Sequence, residues 1–150
     1  MSIDTKVIER VVTIAAPPET VFRLLTEPSE YVRWKGKLAE LDPRPGGIFR
    51  VEFANGKDIV EGRFVEVIRP RRVVFTWGWE GSPFVPPGAS TVEIDIEPAG
   101  GGTRLRLVHR GLPEESVRSH TEGWDYFLPR LANTAEGREP LTEIAHHTEA

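Results

Sequence analysis

Two histidines are the residues of this sequence with the chemistry to serve catalysis. His109 alternates with Leu105 and Leu107 in a strand-like pattern, and His120 lies on the apolar stripe of a helical pattern, one turn before Trp124. Imidazole titrates near neutral pH, so two histidines lining one cavity could move protons. The simpler interpretation is a histidine hydrogen-bonded to backbone or water at each position. Strand-to-helix register cannot be derived from the sequence, and both interpretations stay open.

Aromatic side chains are the candidates for ligand binding. In the segment 73–79, VVFTWGW, Val73, Phe75, Trp77 and Trp79 share one face of a strand, and the opposite face is small. We expect the C-terminal helix that carries Trp124 to cover this face, leaving an open apolar cavity between Trp77 and Trp124. Plain core packing is the alternative for each ring. The full candidate set is Trp34, Phe49, Phe53, Phe64, Trp77, Trp79, Phe84, His120, Trp124 and Phe127.

Other chemistry has no support in the sequence. No nucleophile elbow, phosphate-binding loop, dinucleotide fingerprint or His-Glu-x-x-His zinc motif is present. Cysteine is absent, which excludes disulfides and thiolate metal sites. His146 and His147 lie in a polar tail, where solvated side chains are expected. We therefore predict neither a metal nor a cofactor.

Composition indicates one globular domain. The chain has 150 residues, of which 39% are hydrophobic and 28% charged, and its net charge is −4. Without a basic block it is not expected to bind nucleic acid, and no apolar run approaches the roughly 20 residues that cross a bilayer. We predict a cytoplasmic protein with a domain over 1–136 and a polar tail over 137–150. A homodimer is compatible with this composition.

Hydrophobic periodicity predicts the elements that position these side chains. Strand patterns occupy 7–14, 48–53, 59–68, 73–79, 91–97 and 103–109, and short turns between the later strands indicate antiparallel pairing. Helical patterns occupy 16–26, a short piece within 29–34, and 113–135, where Pro129 predicts a kink. Residues 35–47 are predicted as loop, and the Gly/Pro-rich segment 81–88 as irregular. The fold class is α+β: a curved antiparallel sheet of about six strands wrapped around a long C-terminal helix, with two short helices after strand 1.

Two details of this arrangement are left undecided by the alternation. The inward face of strand 59–68 cannot be assigned. In the first strand Arg10 shares a face with Ile8, Val12 and Ile14, so either Arg10 is a paired charge on the inward face or the other face is inward. A paired or rim-exposed arginine is the interpretation we favour over an anion site.

The order of motifs resembles the activator of HSP 90 ATPase homologue family, a branch of the START-like (SRPBCC), birch-pollen-allergen-like superfamily. The resemblance runs over about residues 6–133. Its pieces are APPETVFRLLTEP (16–28), Trp34, PGGIFR (45–50), EGRFVEVIRP (61–70), VVFTWGW (73–79), GGTRLRLVH (101–109) and GWDYFL (123–128). It implies a helix-grip fold with a cavity between sheet and long helix. Superfamily members bind or act on lipids, sterols and polyketides.

Three functions follow from this resemblance and from the residues. The first is a binding protein for a hydrophobic lipid, aromatic or polyketide-like molecule. The second is a cyclase or aromatase type of enzyme that uses His109 or His120. The third is a co-chaperone role; in the eukaryotic co-chaperones this kind of domain follows a separate chaperone-binding domain, which this sequence does not contain. Phe84, in the breaker-rich loop, is the candidate for a flap over the mouth of the cavity.

Overall fold

The computed structural model describes residues 7–138, which form one antiparallel sheet and three helices. The predicted domain boundary at residue 136 therefore falls near the end of the described residues. The His146–His147 pair lies outside them. The elements in chain order are β1 (Ile8–Ile14), α1 (Pro18–Thr26), α2 (Pro28–Tyr31), β2 (Leu38–Leu41), β3 (Ile48–Glu52), β4 (Ile59–Ile68), β5 (Arg72–Trp77), β6 (Ser90–Ala99), β7 (Gly102–Arg110) and α3 (Glu114–Ala135).

The sheet has seven strands in the order β1-β7-β6-β5-β4-β3-β2, all antiparallel. The predicted α+β helix-grip class is confirmed. The sheet has one strand more than expected, because β2 lies inside the segment 35–47 that was predicted as loop. This edge strand has four residues, and its first side chain, Leu38, is 56% exposed, so it carries almost no hydrophobic pattern.

Side-chain alternation places one face of the central strands in the core. Val92, Ile94 and Ile96 of β6 are buried, as predicted from their period of two. In β4 the pairing register with β5 shifts between Phe64 and Glu66. Such an irregularity interrupts the alternation, which is why the sequence did not reveal the inward face of this strand.

The inward face of β1 is the one that carries Arg10. Ile8 and Ile14 at its two ends are buried, and Arg10 between them reaches Asp125 of α3 with Nε to Oδ1 at 2.7 Å and Nη2 to Oδ2 at 3.2 Å. The Arg10 side chain is 37% exposed, so the pair lies at the rim of the interface. It is a paired arginine that joins the edge strand to the helix, as the favoured interpretation predicted.

α1 and α2 begin at prolines, Pro113 is the N-cap of α3, and both α1 and α3 have a buried apolar stripe. α1 starts at Pro18, has Glu19 in its first turn and buries Val21, Leu24 and Leu25. In α3 the buried positions follow a helical period, and the helix is continuous through Pro129. The buried residues of α3 are His120, Gly123, Trp124, Phe127, Leu128, Leu131, Ala132 and Thr134.

A close backbone approach at Gly78 fixes the irregular loop 81–88 against the end of β5. The Trp79 N–H donates to the Val85 carbonyl at 2.7 Å. A Cβ placed on Gly78 would lie 1.7 Å from the Pro86 carbonyl oxygen, so only glycine allows the loop to lie here. The loop thereby holds Phe84 and Val85 beside Trp79.

Replacing Gly78 with alanine should destabilise the protein by about 1–3 kcal/mol or more, because the new methyl group must displace backbone atoms. Urea denaturation measures the change. Gly81→Ala is the matched control, since its Cβ would meet nothing within 4 Å although its φ is +79°. It should cost only about 1–2 kcal/mol for the left-handed conformation. Equal losses at the two positions would contradict the contact with Pro86.

Candidate functional site

The aromatic faces of β5 and α3 meet directly. The ring centroids of Trp77 and Trp124 lie 5.4 Å apart with the planes inclined by 42°. The two residues are 0% and 3% exposed. The open space predicted between these two indoles is therefore absent, and the rings form packed core. A third side chain, which was not predicted from the sequence, lies over both rings.

That side chain is Lys35, which follows α2 and points into the protein. Its backbone N–H donates to the Tyr31 carbonyl at 3.1 Å, which continues the turn of α2. Its Nζ lies 4.1 Å from the Trp124 ring centroid and 4.4 Å from that of Trp77. The rings of Phe127, Trp34 and Phe53 surround it at 5.1 to 5.8 Å. Lys35 is 2% exposed, so its amine fills the middle of the aromatic layer.

This amine has no polar partner. Among residues 7–138, the buried side-chain nitrogens without a hydrogen bond are Lys35 Nζ and Trp77 Nε1. Burial lowers the pKa of Lys35 well below its ordinary value of 10.5. A cation over an indole face gains about 2 kcal/mol when desolvated, whereas burying an ammonium costs several kcal/mol even after relaxation. The desolvation cost favours the neutral amine.

His109 is held by hydrogen bonds at both ring nitrogens. The indole Nε1–H of Trp124 donates to Nδ1 at 3.1 Å, and Nε2 lies 2.9 Å from the Ser90 hydroxyl. The Ser90 hydroxyl in turn donates to the Trp77 carbonyl at 2.9 Å. Because an indole N–H only donates, Nδ1 must be unprotonated and Nε2 carries the proton. His109 is therefore a neutral imidazole with a defined tautomer.

His120 has the opposite tautomer by the same reasoning. The Trp79 Nε1–H donates to His120 Nε2 at 2.9 Å, so the proton is on Nδ1, which donates to the Ser116 carbonyl at 2.8 Å. The rings of His109 and His120 have centroids 5.5 Å apart. The structure thus brings the two sequence candidates together, but each accepting nitrogen is already occupied by an indole.

Desolvation acts on both imidazoles. Burial first, then the neighbouring His120 and Lys35, lowers the pKa of His109 well below 6.5. Burial also lowers the pKa of His120, against the raising effect of its bond to Ser116. A proton added to either ring would have to displace an indole N–H. The pair is consequently better suited to holding the helix on the sheet than to exchanging protons.

An open groove lies beside this aromatic core, at the mouth between the sheet and the first half of α3. It has a volume of about 330 Å³, and its lining includes Trp79, Phe84 and His120 from the predicted set. Phe84 is 65% exposed at its edge, on the loop held by Gly78. Polar lining comes from Asp58, Glu80, Ser82, Ser116 and Ser119.

A second, smaller pocket of about 120 Å³ lies beside Lys35. It includes Trp34, Phe53 and Phe127 from the predicted set, together with Lys35 itself and Arg130. The remaining predicted residues, Phe49, Phe64, Trp77 and Trp124, line neither space. Phe49 stacks on Phe75 at 4.1 Å between centroids and belongs to the core.

Lys35 is the residue that sequence reasoning missed. Lysine is almost never fully buried, and this one sits in a segment with no periodic pattern. Its neighbours Trp34 and Gly36 do not indicate whether the Lys35 side chain points into the protein or toward solvent. A lysine directly after a buried tryptophan, at the end of a helical turn, is the only hint in the sequence.

This architecture, a curved antiparallel sheet closed by a long C-terminal helix, belongs to the helix-grip class. The chain itself belongs to the family described as Activator of Hsp90 ATPase homolog 1-like protein, whose family model matches residues 15–136. The resemblance inferred from the motifs is confirmed.

Three solved structures illustrate the relationship. The AHSA1-like protein RHE_CH02687 from Rhizobium etli is 42% identical, with a TM-score of 0.70 over 96% of this chain and 94% of that one. Protein CV1439 from Chromobacterium violaceum is 26% identical, with a TM-score of 0.77 over 88% and 98% of the two chains. The Aha1 dimer from Colwellia psychrerythraea is 17% identical, with a TM-score of 0.76 over 87% and 96%. The sequence matches no curated protein. A homodimer stays a prediction for this chain.

In the described part of the chain, none of the helices combines the length and apolarity required to span a membrane. Within residues 7–138, no three His, Asp or Glu side chains are grouped so that they could hold a metal ion.

Lys35→Met should stabilise the protein by roughly 1–3 kcal/mol at neutral pH, because it removes a buried donor without a partner and keeps the apolar stem. The unfolded amine is protonated below about pH 10.5 whereas the folded one resists protonation. Wild-type stability should therefore rise from about pH 7 to 9, and the variant should lose this slope. Urea denaturation measures both effects. The exposed Lys37→Met is the control and should change stability by less than about 0.5 kcal/mol.

Acid should destabilise the protein through the histidines. Because the folded state keeps His109 neutral, only the unfolded state gains its proton as the pH falls below 6.5, its ordinary pKa. The contribution of His109 to the free energy of unfolding should be fully present above this pH and be lost below it, by up to about 1.4 kcal/mol per pH unit for each such group. Denaturation curves between about pH 7.5 and 5 test this dependence on histidine pKa. His109→Gln, which keeps a donor and an acceptor, should flatten the profile; an unchanged slope would refute the assignment.

Proposed function

We propose that this protein binds a hydrophobic small molecule of aromatic or polyketide-like type in the groove between the sheet and α3. The observation that carries the proposal is the position of Phe84. Its ring is 65% exposed at the edge of a groove of about 330 Å³ whose lining includes Trp79. An exposed phenyl ring beside a concave aromatic surface is a means of closing on a flat apolar ligand.

Charge favours a neutral or cationic ligand. The groove lining contains Asp58 and Glu80 and no lysine or arginine. Glu80 is paired with Arg50 at 3.2 Å, and the hydrogen bond with Glu80 raises the pKa of Glu61. A carboxylate ligand would therefore enter an acidic surface, whereas a phenol or a polyol would find acceptors.

Polar groups of α3 can orient such a ligand. Ser116 and Ser119 lie on the groove side of the helix, beside His120. The Ser119 hydroxyl donates to the Ser116 carbonyl at 3.2 Å and lies 3.5 Å from His120 Nδ1, which leaves a lone pair of its oxygen for a ligand. A ligand hydroxyl can donate to this oxygen while its ring lies against Trp79.

The other two interpretations have less support. A cyclase type of reaction through His109 or His120 would require a free basic nitrogen, and the indoles of Trp124 and Trp79 occupy these positions. A co-chaperone role is suggested by the family description alone. Its test is whether the purified chain, in stoichiometric excess, stimulates the ATPase of Hsp90.

Titration with 2-naphthol, a neutral aromatic alcohol, tests the groove. In ¹H–¹⁵N spectra the indole resonance of Trp79 should shift, because its N–H bond to His120 lies at the groove, whereas that of Trp34 should not. Phe84→Ala should raise the dissociation constant about three- to tenfold, because one aromatic contact with the ligand is lost. The exposed Val65→Ala on the sheet is the matched control. Equal weakening by both variants, or a shift at Trp34 alone, would refute this site.

A further inference from the structure

Two buried nitrogen donors without acceptors belong to neighbouring side chains of the aromatic layer. Lys35 Nζ lies 4.4 Å from the centroid of the Trp77 ring, and the Nε1–H of that same indole is also unpartnered. Buried donors in native proteins nearly always have an acceptor, so two such donors at one place call for an explanation. Packing alone does not supply one, because a methionine would fill the same space without an unsatisfied donor.

We propose that Lys35 is a reactive amine that forms a reversible imine with a small aldehyde or ketone admitted through the pocket beside it. The pocket of about 120 Å³ is lined by Trp34, Phe53 and Phe127, and the rings of these three residues also surround Nζ. Lys35 therefore lines a small pocket together with three aromatic side chains and Arg130, and its buried amine lies among the same rings.

A carbonyl compound fits the chemistry of the amine. Before it reacts, its oxygen can accept the hydrogen bond that Lys35 Nζ lacks. Its carbon substituents are compatible with aromatic walls. An imine nitrogen carries no hydrogen, so imine formation removes the unsatisfied amine donors from the interior.

Burial keeps the amine in the nucleophilic form. It lowers the pKa of Lys35 well below 10.5. The titratable and charged groups that face this region are His109 from β7 and His120 and Arg130 from α3, all of them neutral or cationic. The guanidinium of Arg130 further disfavours an ammonium, as in enzymes that use a desolvated lysine.

Imine formation requires no reactant other than the amine and the carbonyl compound. The Nζ lone pair attacks the carbonyl carbon, and the C–N bond forms to give a carbinolamine. The carbonyl oxygen then leaves as water, taking both amine hydrogens, and the C=N bond remains. Water reverses the step, so the adduct is a reversible one.

This site is separate from the groove of the proposed function. The groove and the pocket have no lining residue in common. One is tested by an indole shift on adding 2-naphthol and the other by covalent mass on a lysine. Either proposal can therefore fail in its own test without affecting the result for the other.

Reductive alkylation of the full chain with benzaldehyde and cyanoborohydride tests the proposal. At about pH 6.5, peptide mapping should find one benzyl group on Lys35, added roughly tenfold or more faster than on Lys37 or Lys57, which are exposed. The reason is that each unit of lowered pKa raises the neutral amine fraction about tenfold. Mapping also separates this product from reaction at the N-terminal amine.

Two variants and a pH series complete the experiment. Lys35→Met should lose the modification at this peptide while keeping its near-ultraviolet circular dichroism, and Lys37→Met should keep it. Raising the pH to about 9 should bring the alkylation rates of Lys37 and Lys57 closer to that of Lys35, because the surface amines then lose protons. Lys35 left unmodified, or modified no faster than Lys37 and Lys57, would overturn the proposal.

Discussion

The structure depends on a reciprocal pair of indole-to-imidazole hydrogen bonds between the sheet and α3. Trp124 on the helix donates to His109 on β7, and Trp79 beyond the end of β5 donates to His120 on the helix. Each bond satisfies a polar group that would otherwise be costly to bury. Because the two bonds run in opposite directions, they fix the position of the helix along the sheet more strictly than apolar contacts could.

Those bonds also decide where open space remains. With Trp77 and Trp124 held at 5.4 Å between centroids and the Lys35 amine over both rings, the middle of the layer is filled. Concave surface bordering this layer lies beside Trp79 and beside Phe53. In place of the open cavity expected from the sequence, the protein has a packed aromatic centre bordered by a groove and a small pocket.

Most of the fold could be predicted from the sequence, because strand alternation and helical periodicity are strong where one face is buried. Val92, Ile94 and Ile96 are an example, and the end of α1 before Pro28 is another. β2 was missed since a four-residue edge strand buries too little to leave a pattern. The aromatic candidates were selected because their spacing places them on a buried face, and the histidines because an imidazole on such a face is less common. Lys35 was not, since its burial depends on the tertiary position of α2, which local sequence does not encode.

The order of strands bears on how the chain assembles. From β2 to β7 every strand pairs with its neighbour in sequence, which makes a meander of local hairpins. β1 alone pairs with a strand at the far end of the domain, β7, and its Arg10 reaches a helix that follows later still. Loop-closure entropy delays such distant pairings relative to local ones. Among these seven strands, we therefore expect β1 to be synthesised first and to pair last, so that the sheet is completed only after β7 has been made.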